Sequence, residues 1–307
     1  MGDTMLRVLA KEAGVRGLAC VTADLTREAG RRHHASPLAT AALGYGVTAA
    51  ALLGGLLKVQ ERVALKAQGD GPVQKIVLEA DSYGRVRGYV AAPDVPSPSE
   101  IGRDEISAAL GNQGVLTVVK DLRLRDLYQG AIQLQSGELD RELERYLNLS
   151  EQVPSLVRIG IAMDGDTLAA AGGLLIQLMP GQDPAILRRL AQRLEELPAL
   201  ELLLASGATP AELMARVFPD IAYEVLEERP LSFSCTCSRE RSRRALKILG
   251  GDEIVSLLAE GEAVVDCHFC HERYVFDTTA LAEILEELER EEREALASIF
   301  ADLEELP

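Results

Sequence analysis

Residues 35–57 read ASPLATAALGYGVTAAALLGGLL, twenty-three positions without a single charge. The stretch is long enough to cross a bilayer, but Ala, Gly and Thr dominate it and gain little from lipid, and nothing else in the chain has a membrane pattern. It is read instead as a buried central helix. Ser36 is placed to cap its first turn and Pro37 to occupy the first helical position, where a missing N–H costs nothing. Side chains this small let strands approach the helix closely, so a sheet is expected on its flanks and no membrane partner.

Outward from this helix the sequence alternates strand and helix signals. On the N-terminal side, residues 15–23 read as a strand and 26–32 as a short helix. On the other side, strands at 62–68 and 73–80 are joined by GDGP, which has the Gly and Pro chemistry of a tight turn, and a third strand at 85–91 follows the turn at 81–84. A proline-marked loop, PDVPSP, ends this unit. The pattern resumes with strands at 115–120 and 129–135, a helix at 139–147 and a strand at 155–163. After a DGD turn, LAAAGGLLIQLMP reads as a buried strand with Gly172 and Gly173 at a bulge or a close approach. Short hairpins between neighbouring strands predict an α+β fold with a largely antiparallel sheet. GDGP and AAGG lack the spaced glycines and Lys of a phosphate loop and are taken as structural.

Between residues 181 and 230 the texture changes to Leu and Glu at helical spacing, as in Leu187, Leu190, Leu194 and Leu197, then Leu202 to Leu204, Leu213 and Val217. Pro184, Pro198, Pro210 and Pro219 cut this into pieces too short to be stable alone, so each must rest on another surface. The segment is read as a helical connector of low local stability.

The chain has 307 residues, 47% of them hydrophobic and 4% aromatic, with a formal charge of −16 and a pI near 4.8. That length predicts at least two domains, and the acidic field makes nucleic acid a poor partner. Ten acidic residues against Arg290 and Arg293 from Leu281 onward give a solvated acidic end. The first nineteen residues alternate charge with apolar residues, so no secretory signal is expected there.

Five cysteines in such a chain are better explained as metal or redox ligands than as a disulfide framework. Cys20, in the strand-like GLACVTADL, is read as a buried small hydrophobe. The other four form two pairs, Cys235-Thr236-Cys237 and Cys267-His268-Phe269-Cys270, separated by 29 residues. Two such pairs can complete a tetrahedron around Zn²⁺, and all-sulfur coordination leaves no open position for substrate, so the site is structural or regulatory rather than catalytic. Ser238 is placed to cap a helix over 239–249, Gly250 and Gly251 to stop it, and Asp252 to cap a second helix ending near Gly261. Val264 and Val265 lead into the second pair, and 274–276 leaves it as a strand. Such a small segment must lean on its metal. Arg239, Arg241, Arg243 and Arg244 follow the first pair and either favour thiolate or line a solvated helix face. His268 and His271 are read as solvent-facing residues of the knuckle rather than ligands, and His33 with His34 as part of a polar loop. With four histidines in the chain, no catalytic Ser-His or Cys-His pair is assigned.

FSCTCSRER at 233–241, ILGGDEIVSLLAEGEAVVDCHFC at 248–270, and Tyr274 and Phe276 resemble the redox domain of the bacterial redox-regulated 33 kDa chaperonin family. QGDGPVQ at 68–74 and AAGGLLIQLMP at 170–180 resemble the same family, so the likeness runs almost the full length. It implies a cytoplasmic, ATP-independent holdase, not an enzyme, that binds unfolding client proteins. The family's reduced form is a zinc-bound, inactive monomer. Oxidation forms two disulfides, here Cys235 with Cys237 and Cys267 with Cys270, expels the metal and unfolds the adjacent linker, and the active form is usually a dimer. The implied organisation is a chaperone core at 1–180, a metastable linker at 181–231, a zinc-binding redox switch at 232–290 and an acidic tail at 291–307. His271 departs from the Gly expected after the last cysteine, and the tail is more acidic than the resemblance requires. Two other readings of the cysteine cluster are a zinc ribbon that binds nucleic acid through residues 239–247 and a thiol-disulfide oxidoreductase using Cys267 and Cys270.

Overall fold

A computed structural model of the chain describes residues 2–304, with side chains as far as residue 295; the far end of the acidic tail expected at 291–307 lies outside the described residues. In chain order the elements are β1 (Thr4–Ala10), β2 (Val15–Val21), α1 (Ala23–Arg32), α2 (Pro37–Gly54), β3 (Arg62–Gln68), β4 (Lys75–Asp81), β5 (Arg85–Val90), α3 (Arg103–Leu110), β6 (Val115–Asp121), β7 (Tyr128–Gln133), α4 (Leu139–Leu149), β8 (Ser155–Asp164) and β9 (Thr167–Leu178). They continue as α5 (Ala185–Glu196), α6 (Leu200–Ala205), α7 (Pro210–Val217), β10 (Glu224–Pro230), β11 (Ser232–Phe233), α8 (Arg239–Leu249), α9 (Gly251–Glu260), β12 (Glu262–Asp266), β13 (Arg273–Asp277) and α10 (Thr278–Glu304). The chain divides into two compact units, Met1–Cys235 and Thr236–Pro307.

In the first unit, the charge-free helix α2 lies between two sheets, one in the order β10-β1-β2-β9-β8 and one in the order β11-β5-β4-β3-β6-β7. Ser36 caps α2 as expected, its hydroxyl accepting from the Ala39 N–H at 3.4 Å. The helix is 89% buried within the unit, so sheet faces rather than lipid take up its apolar surface. Its glycines show why large side chains are excluded: a Cβ at Gly44 would lie 2.9 Å from Ile161 of β8, and one at Gly46 would lie 2.7 Å from Leu78 of β4. The two sheets thus press on the helix from both sides, and within the sheets every pairing among β1–β10 is antiparallel. β11 is the exception, adding to β5 in parallel with Ser232 beside Arg85.

The outer face of the five-stranded sheet carries a second apolar layer. Leu6 and Val8 of β1 and Leu174 and Ile176 of β9 face Leu190 of α5, Leu203 and Leu204 of α6, and Leu213, Met214 and Val217 of α7. The short helices of the Leu-rich segment therefore rest on this sheet, as their length requires. The segment does not stay helical to its end: β10 is a strand on the sheet edge, held by its ladder to β1 and by ion pairs such as Lys11 with Glu224 at 3.0 Å. Gly172 and Gly173 lie in unbroken register opposite Gly160 and Ile159, so they mark close approach; the irregularity of this hairpin lies instead between Ala162 and Met163. His33 is not part of an exposed polar loop. It ends α1 at 2% exposure, its ring 6.2 Å from that of Tyr89.

The second unit packs α8, α9, the β12–β13 hairpin and the start of α10 around six buried residues, Leu246, Ile254, Ala263, Phe276, Leu281 and Ile284. Ser238 caps α8, its hydroxyl accepting from the Arg241 N–H at 3.2 Å. Gly250 stands at the start of α9, so Asp252 falls in the first turn rather than at the cap, where its charge still favours the helix dipole. Gly261 ends α9 in the left-handed conformation.

Candidate metal centre

Local structure delivers each sulfur to one place. The β11 strand carries the chain along β5, with the Ser234 N–H donating to the Val86 carbonyl at 3.0 Å, and Cys235 follows directly. Cys237 immediately precedes the Ser238 cap of α8. Cys267 leaves the end of β12, and a tight knuckle follows: the Cys267 N–H donates to the Glu272 carbonyl at 2.9 Å and the His271 N–H to the Cys267 carbonyl at 2.8 Å. That turn aims Cys270 back beside Cys267. It requires φ = +55° at His271, the left-handed region in which glycine is at ease and other residues are strained.

The four Sγ atoms of Cys235, Cys237, Cys267 and Cys270 all lie within 4.8 Å of one another, with Cys237 and Cys270 at 3.3 Å. A tetrahedral site with metal–sulfur bonds of about 2.3 Å needs sulfurs about 3.8 Å apart. The cluster therefore fits a single tetrahedral ion with only small adjustments of the side chains. Cys270 is buried and the others are half-buried, so the sulfurs are shielded without being sealed off.

Two side chains outside the cysteine motif reach the sulfurs. The Tyr274 hydroxyl, carried by β13, donates to Cys237 Sγ at 3.2 Å, and that bond to sulfur raises the hydroxyl well above the ordinary tyrosine range. Arg87 of β5 donates from Nη1 to Cys235 Sγ at 3.3 Å, while its Nε and Nη2 hold the Glu79 carboxylate at 2.9 and 2.6 Å. Both donors favour the charged, thiolate form of the sulfur they touch. Sequence reasoning placed Tyr274 as a strand residue after the knuckle and among the residues that carry the family resemblance, without a sulfur partner, and did not single out Arg87, which is 148 positions from Cys235.

The arginines that follow the first pair are engaged elsewhere. Arg239 stacks 4.4 Å from the centre of the Phe276 ring, Arg241 bonds the Thr236 carbonyl and hydroxyl, and Arg243 forms a two-pronged pair with Glu287. Lys247 pairs with Glu287 and Glu291. These contacts fasten α8 to its neighbours, and Glu287 and Glu291 balance the charges of Arg243 and Lys247. Glu287 is held at about 2 by Arg243 first and Lys247 second. Cys20 stands apart from the cluster: fully buried in β2, its thiol is pushed up to about 12 by desolvation.

The comparisons with known proteins agree with this arrangement along almost the whole chain. The profile of the Hsp33 protein family matches residues 3–277. A 33 kDa chaperonin of Geobacter sp. is 44% identical over 295 residues, covering 95% of this chain and all of the relative. One of Geobacillus kaustophilus is 41% identical over 287 residues, covering 92% and 98%. The crystal structure of a 33 kDa chaperonin (heat shock protein 33 homolog) from Thermotoga maritima superposes with a TM-score of 0.85 at 33% identity, covering 93% of this chain and 98% of the other. A sheet-wrapped apolar helix, a Leu-rich layer on the outer sheet face and a four-sulfur cluster thus occur together in a sequence that matches one family over residues 3–277: the chain belongs to the Hsp33 family of chaperonins.

Proposed function

We propose that this protein is a redox-regulated, ATP-independent holdase of the cytoplasm whose switch is the cluster of Cys235, Cys237, Cys267 and Cys270 holding one Zn²⁺ in the reduced state. The observation that carries the reading is the all-sulfur donor set in a chain of this family. Bound there, the ion supplies cross-linking, about 10–16 kcal/mol in zinc-finger peptides near neutral pH. The chain's own residues keep the sulfurs deprotonated and in place, with Tyr274 on Cys237 and Arg87 on Cys235.

Oxidation by peroxide joins Cys235 to Cys237 and Cys267 to Cys270. In each pair one thiolate attacks the peroxide, the O–O bond breaks, and the partner thiolate displaces the second oxygen. With two protons taken up, one peroxide becomes two waters for each disulfide formed. The sulfurs are then no longer thiolates and lose their hold on the ion. The six-residue core of the second unit is too small to stay folded on that basis alone. On this reading residues 1–180 are the chaperone core, residues 181–231 the metastable linker that uncovers apolar surface for unfolding clients, residues 232–290 the switch and 291–307 an acidic tail, with dimerisation accompanying activation. The protein performs no chemistry on its clients.

The test follows three quantities in one sample during peroxide treatment: zinc release, free thiols, and suppression of light scattering by a thermally unfolding client. The expected result is a concerted change, four thiols lost and one zinc released as protection appears. Oxidised, metal-free protein that leaves client aggregation unchanged would rule the reading out.

A further inference from the structure

A row of polar side chains crosses the inner face of the five-stranded sheet, beside the end of α2. Arg7 lies opposite Leu18, and Arg16 lies opposite Leu9 on one side and Gln177 on the other. Arg7 and Arg16 are therefore diagonal neighbours on one face, within reach of each other's long side chains. Gln177 in turn lies opposite Ser155. Arg16 directs two donors, Nε at 3.0 Å and Nη2 at 2.6 Å, at the single Oε1 of Gln177. The Gln177 amide is held in that sense from behind. Ser155 gives its one hydroxyl proton to the Val153 carbonyl at 2.8 Å, so it accepts from Gln177 Nε2 at 2.9 Å and turns the amide oxygen toward Arg16. Both Gln177 and Ser155 are buried.

What the row lacks is counter-charge. Among the described residues Arg16 forms no ion pair, and its one partner is a neutral amide. Burial first, and the like charge of Arg7 second, lower its pKa, opposed by Glu151. Glu151, however, is paired with Lys120. Arg7 is no better served. Its Nη1 reaches the Gly55 carbonyl at 3.4 Å, and its ion pair with Glu227, at 3.8 Å, is shared with Arg229. Its Nε is buried and has no hydrogen-bond partner among the described residues. A half-buried cation without a counter-ion is costly, and a glutamate at 177 would supply one in the same shape. The Arg7 side chain is 32% exposed, so a solute can reach the pair from water.

We propose that Arg7 and Arg16 form an oxyanion site that binds a phosphoryl group, with Gln177 as the residue that positions Arg16. A carboxylate offers two oxygens in one plane, whereas a phosphoryl group offers oxygens in several. It can therefore accept from two guanidinium groups on different strands at once. The donors open to it are Arg7 Nε and Arg16 Nη1, neither of which has a hydrogen bond among the described residues. The neutral amide at 177 aims Arg16 without cancelling the charge that draws the anion. Every residue of the site belongs to the first unit, so the site is separate from the sulfurs and does not rest on the holdase reading.

The test uses the full-length, reduced, zinc-loaded chain in phosphate-free buffer, titrated with inorganic phosphate against sodium chloride of equal ionic strength. The thermal transition of the first unit should rise saturably, by about 3 °C at a tenfold excess over the half-saturating concentration. Chloride should give no such rise. Gln177→Glu places a carboxylate of the same shape against Arg16, and the phosphate response should vanish. Should that variant fail to fold, Arg16→Gln takes its place and should lose the response likewise. Glycerol phosphate separates the two sources of the group: a shift equal to that of phosphate assigns a phosphate ester, and no shift assigns the free ion. A wild-type transition that phosphate does not move overturns the site. So does a full response in Gln177→Glu, or in Arg16→Gln where that variant decides. A rise that never saturates is general exclusion of the salt from the protein surface and overturns it as well.

Discussion

The Tyr274 hydroxyl donates to Cys237 Sγ across 3.2 Å, so a strand residue beyond the second cysteine pair holds a sulfur of the first. A hydrogen bond to a charged group contributes about 1.5–3 kcal/mol, and it withdraws electron density from the sulfur that accepts it. Tyr274→Phe keeps the ring and deletes the donor. The bare thiolate is the better nucleophile, so peroxide-driven zinc release, read with a chromogenic chelator, is expected to speed up about three- to tenfold. An unchanged release rate would assign Tyr274 to packing alone.

His271 adopts φ = +55° in the turn that returns Cys270 to the cluster. The left-handed conformation costs an L-residue about 1–2 kcal/mol, and glycine avoids that cost. His271→Gly is therefore expected to stabilise the zinc-loaded second unit by about 1 kcal/mol, a rise of several degrees in its thermal transition for so small a unit. A lower transition temperature would mean that the imidazole contributes more than the backbone strain removes.

Chelation should separate the two units. The first is built around α2 and two sheets and owes nothing to metal for its core. The second has, among the described residues, an apolar core cluster of six buried side chains and cannot offset its chain entropy with them alone. Removing metal from the reduced protein with a high-affinity chelator should abolish protease resistance beyond Cys237 and lower the helical circular dichroism by the share of α8, α9 and α10. Fragments of the first unit should persist. Retention of a protected second unit after complete metal removal would contradict this.

What the sequence made legible and what it hid follow from how far each cause reaches along the chain. The burial of α2 is written in one uninterrupted apolar run with its own cap at Ser36, and the metal centre in two close cysteine pairs, since chelation from a single turn is a local property. β10 was hidden because EVLEERP is acidic and its strand conformation comes from the ladder to β1, more than 200 residues away. Arg87 was hidden for the same reason: its partner sulfur is set beside it only by the parallel pairing of β11 with β5. The arginines after Cys237 were ambiguous until Glu287 and Phe276 were placed opposite them. The glycine pair of AAGG reads as a bulge or a close approach, and neither the choice between them nor the partners is legible, because consecutive residues of a strand face opposite sides. Gly173 meets Thr48 and Leu52 of α2, and Gly172 meets Leu204 of α6.

Cys20 tests whether a cysteine of this chain can be inert. It lies in β2 opposite Gly173, fully buried, and desolvation raises its pKa from 9.0 to about 12 against the weaker opposing pull of the Gly173 backbone hydrogen bond. Burial thus favours the neutral thiol. In the unfolded chain the same group ionises near pH 9, so between about pH 9 and 12 the unfolded state has lost a proton that the folded state keeps. The stability this group contributes is complete below pH 9 and declines above it, by about 1.4 kcal/mol for each pH unit. Other groups titrate in that range, so the informative quantity is the stability of wild type minus that of Cys20→Ala. From pH 8 to pH 10.5 this difference, measured by urea unfolding of the first unit, should shrink by about 2 kcal/mol. In the same pH range the native, metal-free protein should take up four alkyl groups and not five. A constant difference, or rapid labelling of Cys20 in the folded chain, would show that β2 opens to solvent at the very strand on which the central helix rests.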